Sequence, residues 1–144
     1  IANSLKKPSY VSLQSALSWH GMIPEFVPVT TSITTGRPQT IETPLGRHSF
    51  RHVSKHYFWG YQQADLRDGQ TAFVAHPEKA LLDLVYLTPG GDSMAFLEEL
   101  RLQNFDRINH TLLREYAAKF GSPKIMRAHK NLEHLFNQDE GSEL

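Results

Sequence analysis

Three histidines, His48, His52 and His56, recur at intervals of four residues. On a helix this spacing aligns imidazoles on one face, where they bind metal ions. The local residues instead alternate as in a strand, which keeps His48 and His52 on one face but places Phe50 between them. No carboxylate is adjacent in sequence to complete a coordination sphere. We therefore predict surface or partly packed histidines, with no metal and no other cofactor.

A second group, Glu78, Lys79 and Asp83, combines acids and a base. Nuclease chemistry usually gathers two carboxylates around a divalent metal ion. On a helix, however, Glu78 and Asp83 are separated by about 140° and do not converge. We expect Glu78 to favour the N-terminus of the helix through its negative charge, and Lys79 to extend into solvent.

The familiar catalytic motifs are absent from the sequence. It has no phosphate-binding glycine loop, dinucleotide fingerprint, GxSxG or HExxH. Because it has no cysteine, disulfides, thiol catalysis and thiolate zinc sites are excluded. Ser12 and Ser15 lie near His20 without a carboxylate partner in sequence. These features predict a protein that is not an enzyme. The alternative is a small metal- or His-dependent nuclease or hydrolase, in which folding brings His20, His52 or His76 to an acid.

Basic residues are concentrated in the first half of the chain, although the formal net charge is zero. Residues 1–64 carry a net charge of +4, which is well short of a nucleic-acid-binding tract. Arginines that project from a rigid sheet are nevertheless good recognition groups. We predict Arg37, Arg47 and Arg51 as a surface for an anionic ligand, RNA or an acidic protein. Arg127 and Lys130 form a second basic face, which is also typical of any exposed helix.

The elements that must position these residues begin with a short helix. Ser12 is placed to cap it, Leu13, Ala16 and Leu17 have helical spacing, and Gly21 is placed to end it. Alternating residues then predict strands over residues 27–35 and 40–43, and from residue 47 after a Pro-Leu-Gly turn. The aromatic residues 57–61 and residues 71–75 add further strands around a polar turn at residues 68–69. The result is an antiparallel meander of about four to five strands.

After residue 75 the hydrophobic period changes from two to 3.6 residues. A buried helix is predicted from Pro77, followed by helices over residues 93–102, 111–120 and 123–136. An N-terminal helix, the meander and this C-terminal block of about four helices define an α+β domain of residues 1–137, with a polar tail over residues 138–144. No run of residues is apolar enough to span a bilayer and no signal peptide is present, so we expect a cytoplasmic protein without a membrane partner.

Four segments of the sequence are similar to the sequences of one known family. They are "PSYVSLQSALSWHGMIPE", "TTSITTGRPQTIETPLGRHSFRHV", "YFWGY" and "HPEKALLDLVYL". Together they resemble the effector portion of AbiEi-family antitoxins, described as predicted transcriptional regulators of viral defence systems. The resemblance covers about residues 8–87, and the helical remainder matches only in position and character.

This resemblance implies a non-enzymatic effector domain of a bacterial type IV, AbiE-like toxin–antitoxin or phage-defence system. It implies promoter DNA as the partner of an upstream winged helix, which this sequence lacks. It also implies a nucleotidyltransferase-like AbiEii toxin as a functional partner, without a stable complex. Because the chain begins with Ile, we expect it to be a fragment. A plain interaction or dimerisation domain is the other alternative, which an exposed patch of Tyr57, Trp59 and Tyr61 would favour, and the oligomeric state stays open.

Overall fold

The computed structural model describes residues 2–24, 28–65 and 71–142, and side chains as far as residue 138. Within this part, six short strands form one sheet. They are β1 (Ser9–Val11), β2 (Val29–Thr34), β3 (Gln39–Thr43), β4 (Gly46–His52), β5 (Tyr61–Asp65) and β6 (Thr71–Ala75). Their spatial order is β3-β4-β2-β1-β6-β5. The α+β class is therefore confirmed.

The sheet is mixed and has six strands, so the predicted antiparallel meander of four to five strands was wrong. The β3–β4 hairpin is antiparallel as expected, but β2 pairs with β4 in parallel, from Val29 opposite Arg47 to Thr34 opposite His52. A further difference is β1, a three-residue strand that was not predicted and that precedes the helix at Leu13–Trp19. It pairs antiparallel with β2 and parallel with β6, so it joins the β3–β4–β2 part of the sheet to the β6–β5 part.

The connections between strands agree with the prediction in one place and differ from it in another. Pro44 and Leu45 form the predicted two-residue connection of the β3–β4 hairpin, where the Thr43 hydroxyl accepts a hydrogen bond from the Leu45 N–H. The aromatic segment, however, is not a strand at its start. It forms a short 3-10 helix over Lys55–Tyr57, and β5 begins only at Tyr61. The predicted start of β2 at residue 27 and the turn at residues 68–69 lie outside the described residues.

The described helices are α1 (Ala2–Leu5), α2 (Leu13–Trp19), α3 (Pro77–Leu87), α4 (Met94–Glu99), α5 (His110–Phe120) and α6 (Pro123–Ser142), with a second 3-10 helix at Phe105–Arg107. Ser93 and Asn109 cap α4 and α5 through their side chains, and Gly121 ends α5 in the left-handed region, as such positions require. Helix α6 continues past residue 136, where it was expected to end.

Helix α3 is the centre of the fold. All residues from Glu78 to Val85 are buried, including three charged side chains. Helices α2, α5 and α6 and strand β6 all contact it. Its leucines pack against the sheet and the neighbouring helices. This burial stabilises the fold by roughly 25 cal/mol for each Å² of apolar surface removed from water. Within the described residues, no helix combines the length and the apolar character that crossing a bilayer requires.

Candidate functional site

The most deeply buried charged residues lie on one side of α3. Lys79 and Asp83 are separated by one helical turn, and their side chains are 0% and 1% exposed. The Lys79 Nζ atom lies 2.5 Å from Asp83 Oδ1. A buried ion pair is costly unless its remaining donors and acceptors are also paired.

The remaining donors and acceptors of Lys79 and Asp83 are paired by two residues from the region of β1 and by one main-chain carbonyl group. The Tyr10 hydroxyl donates to Asp83 Oδ2 at 2.8 Å and accepts from Lys79 Nζ at 2.9 Å. The Ser12 hydroxyl donates to the same Asp83 oxygen at 2.8 Å. The third proton of the Lys79 ammonium points to the carbonyl oxygen of Tyr57 at 2.7 Å. All three N–H groups of the ammonium therefore have acceptors. We call Tyr10, Ser12, Lys79 and Asp83 the Lys79–Asp83 cluster.

Aromatic rings enclose the ammonium end of this cluster. Lys79 Nζ lies 4.6 Å from the ring centre of Trp59 and 5.0 Å from that of Phe120. Lys119 Nζ lies 4.4 Å from the same Trp59 ring. These distances allow cation–π attraction, which is strongest where water is excluded. The rings add stability to the charged form of Lys79 that burial alone would disfavour.

Burial dominates the acid–base properties of the cluster. It raises the pKa of Asp83 and lowers the pKa of Lys79, while the attraction between the two charges opposes both shifts. Burial also raises the pKa of Tyr10, and the neighbouring Asp83 carboxylate raises it further. These residue types can exchange protons, but each is already hydrogen-bonded inside the protein and closed to solvent. The arrangement therefore suits a structural connection between β1 and α3.

The Tyr10 hydroxyl gives a direct test of that connection. Replacing Tyr10 by Phe is expected to lower the free energy of unfolding by about 1–3 kcal/mol, because a buried N–H of Lys79 loses its acceptor. Tyr61→Phe is the matched control, since the Tyr61 hydroxyl makes no hydrogen bond with the described residues. Urea unfolding of both variants measures the difference. An equal loss in the two variants would contradict the bridging role of Tyr10.

Two predictions about α3 fared differently. Lys79 was expected to reach solvent, which was wrong, because its side chain is 0% exposed and its ammonium is hydrogen-bonded to Tyr10, Tyr57 and Asp83 in the interior. Glu78 does lie in the first turn of α3, as expected. It is also buried, and its Oε2 accepts from the N–H of Asn109, the residue that caps α5. Glu78 and Asp83 thus have separate partners and do not converge.

The histidines are placed far less uniformly than their spacing suggests. His48 is buried, which lowers its pKa, and its Nδ1 has no partner among the described residues. His52 is exposed and its Nδ1 lies 2.9 Å from the Gly36 carbonyl oxygen. In the described part of the chain, no three His, Asp or Glu side chains are gathered as a metal ion requires.

His20 has the most polar surroundings of the histidines that the enzyme alternative needs. Its Nε2 lies 2.8 Å from the Ala75 carbonyl oxygen, and burial lowers its pKa. The charges of Glu78, His76 and Arg107 act on it as well. Glu78 therefore acts on His20 electrostatically, but its carboxylate is hydrogen-bonded to the Asn109 N–H. The ring nitrogen Nε2 of His20 is likewise occupied by a main-chain hydrogen bond.

The three predicted arginines lie near the edge of the sheet that is opposite to β5. Arg47 and Arg51 share one face of β4 and are exposed, and Arg37 lies in the turn after β2. Arg47 pairs with Glu42 across the hairpin at 2.6 Å, and Arg51 donates to the Leu87 carbonyl oxygen at 3.2 Å. Arg37 makes no hydrogen bond or ion pair with the described residues. Its guanidinium is therefore open to an external anion.

The second basic face is less free. Arg127 Nε lies 2.9 Å from Asp92 Oδ2, and this hydrogen bond lowers the pKa of Asp92. Lys130 is exposed and makes no hydrogen bond or ion pair with the described residues. Asn131 fastens the same helix to the Asp92 carbonyl oxygen. Arg127 therefore joins α6 to the start of α4, which leaves Lys130 as the available charge.

Three residues of the site were missed in the sequence. Ser12 was expected to cap α2 through its side chain, but its hydroxyl binds Asp83 and makes no cap hydrogen bond. Tyr10 and Tyr57 carried no signal of a polar role, because their partner Lys79 is 69 positions from Tyr10 and 22 positions from Tyr57.

No protein-family model matches the chain, and no curated protein matches its sequence.

Proposed function

We propose that this chain is a non-enzymatic effector domain that serves as an antitoxin and transcriptional regulator in a bacterial type IV, AbiE-like toxin–antitoxin or phage-defence system. It acts in the cytoplasm with an upstream winged helix that binds promoter DNA. Its functional partner is a nucleotidyltransferase-like toxin, and a stable complex is not required.

One observation carries this proposal: the segments that resemble AbiEi-family antitoxins meet in space. The first supplies Tyr10 and Ser12, the aromatic "YFWGY" segment supplies the Tyr57 carbonyl oxygen, and the helical segment supplies Lys79 and Asp83. Residues from three of the resembling segments, which are distant in the chain, therefore form one buried cluster. A shared scaffold is what such a pattern of segments is expected to encode.

The same cluster supports a role without catalysis. Its acid, base and hydroxyl groups hydrogen-bond to one another, and the Lys79 and Asp83 side chains are 0% and 1% exposed. A catalytic group must come within hydrogen-bond reach of a substrate. Function is then expected on the surface, where charges are free to meet a partner.

The surface that suits a partner best is the row of Arg37, Arg47 and Arg51. Because β2 and β4 run in parallel, the turn that carries Arg37 lies beside the end of β4, near Arg51. Arg47 is four residues earlier, about 13 Å along the strand. A row of this length fits an extended anionic polymer better than a small ion. The exposed Arg47–Glu42 pair contributes little stability, so an external phosphate can replace it.

Charge reversal of the row tests this proposal. The variant Arg37→Glu/Arg47→Glu/Arg51→Glu should fold normally but lose protection against the proposed toxin and bind a single-stranded RNA at least tenfold more weakly. Reversal of each exposed charge removes a contact whose strength depends on salt. Growth rescue and RNA binding at several salt concentrations are the measurements.

Arg114→Glu is the matched control, because Arg114 lies on α5, is exposed, and makes no hydrogen bond or ion pair with the described residues. Unchanged protection and binding in the folded triple variant would remove the row from the proposal. A nuclease or hydrolase activity that His76→Ala abolishes would favour the enzyme alternative instead. The dimerisation alternative is weakened because Tyr57, Trp59 and Tyr61 pack against the core and are only partly exposed.

A further inference from the structure

A groove beside α1 is not used by any part of the proposed function. One half has a volume of about 270 Å³, and three aromatic rings, Phe58, Tyr61 and Phe73, are among the residues that line it. The other half, of about 200 Å³, is more polar and includes Gln63 and Thr71. The two halves share Asn3, Lys7 and Phe73 and therefore adjoin one another. The larger half lies near the lower end of the range of about 300–1,000 Å³ typical of small-molecule sites.

The aromatic half presents exposed aromatic surface to a ligand. The Tyr61 ring meets Phe58 and Phe73 edge to face, with ring centres 5.3 and 5.6 Å apart. Phe73 is 43% exposed, although it is a large hydrophobic side chain on a strand. The Tyr61 ring also stacks on Tyr10, 4.7 Å away, which fixes the Tyr61 ring in place. Such rigid rings are the usual platform for a planar heterocycle.

The polar groups of the groove identify the rest of the ligand. Asn3 is already occupied, because its amide donates to the Ser9 carbonyl oxygen and accepts from the Phe73 N–H. Ser9 donates to the Lys6 carbonyl oxygen. Lys7 is exposed and makes no hydrogen bond or ion pair with the described residues, and none of the described residues that line the groove is acidic. A ligand with a negative group therefore fits the charge of the site.

We propose that this groove binds a free nucleoside monophosphate. The base lies against Phe58, Tyr61 and Phe73, the sugar occupies the polar half near Gln63 and Thr71, and the phosphate contacts Lys7. This site is separate from the arginine row, and it stands or falls independently of the antitoxin role.

Isothermal titration of the purified chain with AMP, GMP, CMP and UMP tests the proposal. We expect at least one of them to bind at a single site. Phe73→Ala should weaken binding about tenfold or more, because stacking of a base on an aromatic side chain accounts for a change of that size. Lys7→Ala should weaken binding of the nucleotide several-fold at low salt and have less effect at high salt. The corresponding nucleoside should bind more weakly than its monophosphate.

Two control variants and two control ligands make the outcome decisive. Leu45→Ala removes a hydrophobic side chain that is 77% exposed on the β3–β4 hairpin, and Lys130→Ala removes a remote free charge. Both should bind as the unchanged chain does. The proposal is overturned if none of the four nucleotides binds, if inorganic phosphate binds equally well, or if a single-stranded oligonucleotide binds while every mononucleotide fails. Equal weakening by the control variants would overturn it as well.

Discussion

Replacing Lys79 by Met is expected to lower the free energy of unfolding by about 3–5 kcal/mol, the cost of breaking a buried ion pair on one side. Met keeps most of the aliphatic stem, so the loss comes from the charge. Asp83 would be left in the interior with donors from only Tyr10 and Ser12. Urea unfolding followed by tryptophan fluorescence measures the effect, with Trp59 reporting from beside the substituted side chain.

The pH dependence of this variant has a definite sign. Without the attraction of Lys79, burial raises the pKa of Asp83 in the folded state further above its unfolded value, which is near 4. A group with a raised folded pKa favours folding below the unfolded pKa, and this contribution is lost as the pH rises through the folded pKa. The stability deficit of Lys79→Met should therefore narrow as the pH falls towards about 4. A deficit that widens in acid would contradict a buried, unpaired carboxylate.

A second substitution separates charge from packing. In Lys79→Met/Asp83→Asn neither member of the buried pair is charged, and the amide oxygen of Asn can still accept from Tyr10 and Ser12. We expect the double variant to recover about 2 kcal/mol or more relative to Lys79→Met, as a non-additive pair in contact should. Strictly additive losses would mean that the two side chains do not act as a pair.

Gly60→Ala is expected to lower the free energy of unfolding by about 2–4 kcal/mol, for two reasons. Gly60 has a φ of +80°, in the left-handed region that side chains avoid. An added Cβ would also lie 2.7 Å from Lys79 Cγ and 2.9 Å from Lys79 Cβ. That part of the Lys79 stem cannot move away, because hydrogen bonds hold its ammonium and the helix holds its backbone.

Gly90→Ala is the matched control for Gly60→Ala. Gly90 has a similar φ of +71°, but an added Cβ meets no atom within 4 Å. It should cost only the backbone strain, about 1–2 kcal/mol. Thermal or urea unfolding of the two variants isolates the contact with Lys79. Equal losses would show that Gly60 is needed for its backbone conformation alone.

How far the sequence predicts this fold depends on whether the signals are local. The Pro44-Leu45 turn and the start of α3 at Pro77 depend on adjacent residues, and both were predicted. The order of the strands was not, because β1 has only three residues and its position between β2 and β6 depends on long-range pairing. A strand that short has no detectable alternation.

The buried cluster had a signal that went unused. Helix α3 carries Ala80, Leu81, Leu82, Leu84 and Val85, which by helical spacing occupy most of its circumference. A helix that is apolar around most of its surface is buried, so the few charged residues within it are buried too and must be paired. Lys79 and Asp83, four residues apart, are the pair that geometry allows. Their partners Tyr10 and Tyr57 depend on the tertiary fold and had no local signature.

The central claim is that the Lys79–Asp83 cluster builds the scaffold and that function lies on the surface. For the proposed antitoxin role, the most direct measurement is growth rescue from the proposed nucleotidyltransferase-like toxin by the protein carrying Lys79→Met/Asp83→Asn, at a temperature where the variant is folded. We predict protection equal to that of the unchanged protein, because no chemistry is assigned to the removed charges. Loss of protection in the folded double variant would contradict the account and place Lys79 and Asp83 in the functional mechanism.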